Sequence, residues 1–124
     1  MFILKKEATF MHPITFYTPG DGGIQNENTF DAKFKILSNT RINEIRILAA
    51  KKETEISKGI FEGVDISDTK IAEEILVGWE GITDGDKDIP YTAATKKQVL
   101  EIPILGAILC EEYFNEMAKR KTKN

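Results

Sequence analysis

The chain has 124 residues, with 17 Lys and Arg against 20 Asp and Glu, a net charge of −3, 41% hydrophobic and 30% charged residues. That is globular composition, enough for one domain with its own core, and it argues against a disordered chain or a basic nucleic-acid binder. A lone cysteine, Cys110, excludes an intrachain disulfide and suits a reducing compartment, no apolar run approaches the ~20 residues of a membrane span, and Met1-Phe2-Ile3-Leu4-Lys5-Lys6 reverses the order of a signal peptide. A soluble protein that stays in the cytosol where it is made is the expectation.

Read in chain order, the first third has β character. Phe2 to Phe10 is rich in apolar and β-favouring residues, and Ile14-Thr15-Phe16-Tyr17-Thr18 reads as a strand bounded by Pro13 and Pro19. Pro19-Gly20-Asp21-Gly22-Gly23 forces a turn. Phe30, Ala32, Phe34 and Ile36 then alternate with Asp31, Lys33 and Lys35, the period of a half-buried strand. A small antiparallel sheet or hairpin over 1–37 follows from these segments.

Helical spacing takes over at Ser38-Asn39-Thr40, each an N-cap candidate. Ile42, Ile45, Leu48 and Ala49 predict a helix over about Arg41 to Thr54. Ile56, Ile60, Phe61 and Val64 suggest a further short helix. Ser67-Asp68 caps another, with Ile71, Ala72, Ile75, Leu76 and Trp79 on its apolar stripe and Gly78 and Gly81 around its end. Thr83 to Asp88 reads as a polar turn. Thr92 caps a short helix through Val99 and Leu100. Pro103 suits the first turn of a last helix carrying Ile104, Leu105, Ile108, Leu109, Tyr113, Phe114 and Met117. The expected architecture is one α+β domain over 1–124: a β-rich part at 1–37 packed with about three to five helices in 38–118, and a basic, frayed tail at 119–124.

The constellations that resemble chemistry are incomplete. Asp84-Gly85-Asp86-Lys87-Asp88 opens like a calcium loop, but Ile89 stands where the turn glycine belongs and Thr95 where the bidentate Glu belongs. Gly20 to Gly23 is followed by polar residues and a strand, whereas a phosphate cradle needs a helix N-terminus. His12, the single histidine, reads as a strand-end residue rather than a base. Cys110, in an apolar run and followed by Glu111 and Glu112, reads as a core thiol with a raised pKa. Glu73-Glu74 and Glu111-Glu112 are neighbours that diverge by about 100° on a helix. No enzyme activity, metal or organic cofactor is expected. The remaining signal is aromatic. Tyr113 and Phe114 cannot both face fully inward on one helix, so one of them is expected at the edge of the core or at an interface, with Tyr91 and Met117 as further candidate contacts.

The order of several elements resembles the tail assembly chaperone family of long-tailed, siphovirus-type phages and prophages. They are Val77-Gly78-Trp79-Glu80-Gly81-Ile82, the acidic Asp84 to Asp88, Ile89-Pro90-Tyr91-Thr92, Leu100-Glu101-Ile102-Pro103, Tyr113-Phe114 and the ending Lys123-Asn124. Phe10 to Phe16, Pro19 to Gly23 and Thr29 to Phe34 extend the likeness, although His12-Pro13 stands where relatives often have Trp-Pro. The resemblance implies a non-catalytic viral tail chaperone in the host cytoplasm, absent from the mature virion. It would be a homo-oligomer that binds the tape measure protein, with the tail tube protein as a second partner. The alternative is a structural minor tail or head–tail connector protein retained in the virion.

Overall fold

Apolar side chains at every second position build a long hairpin at the start of the chain. The computed structural model describes residues 1–57 and 68–119, without side chains at 52–57. Strand β1 is Thr9–Pro19 and β2 is Gln25–Lys35, antiparallel from Thr9↔Lys35 to Pro19↔Gln25. Ile14 and Phe16 face inward from β1, and Phe30, Ala32 and Phe34 from β2, while the residues between them stay exposed. Phe16 meets Phe30 edge-on at 6.2 Å and Phe10 meets Phe34 at 5.6 Å, the cross-strand contacts that hold register. Residues 20–24 make the reversal, with Gly22 and Gly23 at φ 69° and 81° and the Gly20 N–H donating to Ile24 O.

Two strand expectations change. The segment Phe2 to Phe10 joins the sheet only from Thr9, and residues 1–7 are exposed. Pro13 does not bound a strand. It lies inside β1, which can accommodate it because β1 is the sheet's outer strand and can lack a ladder donor there.

Helix α1 spans Asn39–Ser57, and Ser38 caps it, its Oγ accepting the Arg41 N–H at 3.1 Å. Ile45 is buried, with Ile42 and Leu48 packed beside it. Helix α2, Asp68–Ile75, buries Ile71, Ala72 and Ile75. Ile56, the start of the suggested further helix, belongs to α1, while the rest of that stretch, the Ser67 cap and the tail beyond Lys119 lie outside the described residues.

The expected stripe of α2 stops early. Leu76–Glu80 is a strand, β3, pairing antiparallel with β2 and completing the order β1-β2-β3. Leu76 and Trp79 continue the helical period by sequence, but they also face Phe34 and Ala32 across the sheet once a bulge absorbs one residue. Gly78 disfavours the helix and suits the strand, where the Lys33 side chain lies over it; a Cβ there would come within 3.2 Å of Lys33 Cδ. The third strand therefore comes from inside the part expected to be helical.

After Gly81, at φ 87°, the chain makes a small reversal closed by the Thr83↔Asp88 bridge. Thr92 and Thr95 then form a capping box for α3, Ala93–Leu100. Helix α4, Leu105–Ala118, starts later than Pro103; its N-cap is Ile104, exposed and left-handed at φ 63°, rare for a β-branched residue. Gly106 lets α4 approach α2, since a Cβ there would stand 3.3 Å from the Thr69 backbone. Leu105, Leu109, Cys110 and Tyr113 bury the inner face of α4.

Tyr113 joins helix to sheet. It is fully buried, its ring T-stacked on Phe34 at 5.3 Å and lying along Phe10 at 6.0 Å. Its hydroxyl accepts the Leu37 N–H at 3.0 Å and donates to Lys35 O at 2.9 Å, pairing the backbone just where β2 ends. Arg41 makes the other clamp, binding Glu74 of α2 through Nε and Nη2 at 2.8–3.0 Å and Glu44 at 3.1 Å.

Two outcomes follow. Tyr113→Phe keeps the ring but takes the phenol partner from the buried Leu37 N–H and the part-buried Lys35 carbonyl, so urea denaturation should show a loss of about 1–3 kcal/mol with the fold retained. The Arg41 guanidinium holds the Glu74 carboxyl below its usual 4.5, with burial partly opposing it. That stabilisation is complete above the usual value and disappears as pH falls through the lowered one. Glu74→Gln should therefore cost about 1 kcal/mol at pH 7, after discounting for solvent screening of this part-exposed pair, a cost that shrinks as pH falls through the lowered value.

Candidate partner-binding groove

The residues expected at a partner surface separate in the structure. Tyr113 is not a contact residue: it is enclosed in the core, and its hydroxyl is spent on the β2 backbone. Phe114, one residue on, stands edge-on to the Tyr113 ring at 5.1 Å and is half-buried, as is Met117. The divergence of neighbouring helical positions thus places Tyr113 inside and Phe114 at the core's margin. Tyr91 lies elsewhere. It is exposed at one side of its ring, while the other side meets Trp79 edge-on at 5.0 Å and its hydroxyl donates to Leu76 O at 2.9 Å.

Tyr91 borders an open groove of about 540 Å³ between α2 and α3. Thr69 and Glu73, one helical turn apart, supply the α2 side. Ala93, Lys96, Lys97 and Leu100 share one face of α3 and supply the other, with Glu101 at its end. The Lys96 ammonium donates to Glu73 O, among the last carbonyls of α2, and lies 5.6 Å from the centre of the Tyr91 ring. The groove is therefore apolar at Tyr91, Ala93 and Leu100, with charges of both signs at its rim. Two turns of α3 line it, a length of about 10 Å.

The other constellations resolve into structural contacts. His12 is inside β1, not at its end, and faces α4, its Nε2 3.1 Å from Glu112 and Nδ1 4.0 Å from Glu116. Cys110 points the opposite way, donating from Sγ to Asp68 O at 3.3 Å, so the two do not form a dyad. In the acidic turn, Asp84 Oδ1 accepts the N–H groups of Asp86 and Lys87, both at 2.9 Å, and these hold its carboxyl below the usual range. Glu74 turns to Arg41 and Glu73 to solvent, while Glu112 turns to His12 and Glu111 to solvent, so neither carboxylate pair converges. Among the described residues no group of three His, Cys, Asp or Glu side chains could hold a metal ion, and no helix is long and apolar enough to cross a membrane.

Of the groove residues, the sequence reading identified only Tyr91. Thr69, Glu73 and the α3 face carry no local signal, because the groove depends on how α2 and α3 lie together. Comparison of the chain with protein-family models, curated proteins and solved structures finds no match.

Burial, and then the Asp68 charge, push the Cys110 thiol up to about 12 from an ordinary 9.0. At pH 8 its thiolate population is then about a thousandfold below that of the unfolded chain. Labelling with a thiol reagent at pH 8 should be slow in the native protein and fast in guanidinium.

Proposed function

We propose that the chain is a tail assembly chaperone of a siphovirus-type phage or prophage that holds amphipathic helices of the tape measure protein, with the tail tube protein as a second client. It would act in many copies in the host cytoplasm and be left out of the mature virion. The order of sequence elements from Val77 to Phe114 supports the family reading. The observation that carries the mechanism is the α2–α3 groove, about two helical turns long, with apolar Ala93 and Leu100 and Tyr91 as an aromatic anchor among charges of both signs.

Such a groove suits a client that presents a repeating apolar stripe. A short groove gives modest affinity per copy, and many copies along one long helix give avidity. The rim alternates Lys96 and Lys97 with Glu73 and Glu101, which favours a client carrying mixed charges beside its stripe. Modest single-site affinity also allows release when the tube subunits polymerise over the tape measure.

Ala93 tests the groove without disturbing the core, because it is exposed at the first turn of α3. Ala93→Arg should weaken capture of a helical tape-measure segment by about tenfold or more, with unchanged thermal unfolding. Capture equal to the parent's would show that the client binds elsewhere. Mass spectrometry of purified particles separates the chaperone from its structural alternative: recovery of the chain at a fixed copy number would establish a virion component.

A further inference from the structure

The chain carries an apolar segment that its own fold leaves uncovered. Phe2, Ile3 and Leu4 are 84%, 64% and 85% exposed, and Lys5 and Lys6 follow them. A consecutive run of large exposed apolar residues is rare on a free surface and marks a contact. The segment leaves the sheet at Ala8, whose carbonyl accepts the Ile36 N–H at 2.9 Å.

At the opposite end of β1 lies a second opening, of about 320 Å³, between the sheet and the α3–α4 junction. Phe16, Phe30, Val99, Ile102 and Leu105 make its floor. Glu27 stands on its rim, and Thr83, also on it, begins the exposed turn whose Asp84, Asp86 and Asp88 outnumber Lys87, so the charge beside the opening is net negative. An apolar floor with an acidic rim matches an apolar segment followed by two lysines. Among the described residues neither Lys5 nor Lys6 has an ion-pair partner.

We propose that Phe2–Leu4 of one copy fills this groove on a second copy, with Lys5 and Lys6 against its acidic rim, so that the chain assembles by exchange of arms. The exchange is between copies because of distance. From Thr9 to Phe16 along β1 is about 23 Å, and the arm from Phe2 to Thr9 spans about 23 Å only when fully extended. A chain filling its own groove would have no slack for the reversal at Ala8. This surface lies apart from the α2–α3 groove and does not depend on the chaperone reading.

The test is the mass of the full chain in solution over a concentration series, joined to disulfide trapping. The parent should assemble. Ile3→Asp and Glu27→Lys, both at exposed positions, should each weaken assembly about tenfold or more while melting like the parent. Phe2→Cys protein mixed with Thr29→Cys protein should cross-link between chains, and should not do so when mixed with Thr40→Cys protein. A parent that stays monomeric up to about 1 mM would overturn the proposal. So would an Ile3→Asp protein that assembles normally, equal trapping by Thr40→Cys, or a monomeric double variant, Phe2→Cys with Thr29→Cys, that closes on itself.

Discussion

The join between helix and sheet is made by a single phenol at the end of β2. At Lys35 the β2 ladder stops, and the backbone must leave the sheet before α1 can begin at Asn39. Backbone groups in that passage lose their ladder partners, and Leu37 is buried. Tyr113 provides partners from α4, accepting from Leu37 and donating to Lys35. The same ring packs against Phe10 and Phe34, so one side chain fixes helix position, strand end and core packing together. Its total burial also decides the role of its neighbour, because Phe114 must then point about 100° away, toward the margin of the core.

Around this join, small residues set the spacing of the layers. Gly106 brings α4 onto the Thr69 backbone, and Gly78 lets Lys33 lie flat over the outer face of β3. These contacts also shape the openings. Thr69, held close to α4, lines the α2–α3 groove, while Trp79 and Tyr91, fixed to Ile89 O and Leu76 O, secure the chain leading into α3. The Tyr91 ring at the groove is thus fixed by its hydroxyl and by Trp79.

The α+β class was legible in the switch from period two to helical spacing near residue 38. The second half of β2, the polar turn at 83–88, the Thr92 cap and the last helix were legible because each has a local pattern, whereas the polar start of β2, Gln25 to Asn28, read as a connection. β3 was not legible, because Leu76 and Trp79 satisfy both periods, and only pairing with β2 selects the strand. The late start of β1, at Thr9 rather than Phe2, was hidden by the apolar composition of Phe2 to Leu4, which in the structure belongs to an exposed arm. Within the candidate site, Tyr91 was legible only as an aromatic fit to anchor either core or interface. Lys96, Ala93 and Thr69 were not, since a groove between two helices is a tertiary property with no pattern along the chain.

The α2–α3 groove as the seat of client binding is tested most directly by amide NMR during titration with an amphipathic helical segment of a tape measure protein. A client in the groove predicts saturable shifts concentrated at Thr69, Glu73, Tyr91 and Ala93 to Glu101, with the outer face of β1 and β2 unmoved. Saturable shifts centred on the sheet, or no shifts at peptide concentrations of about 1 mM, would contradict it.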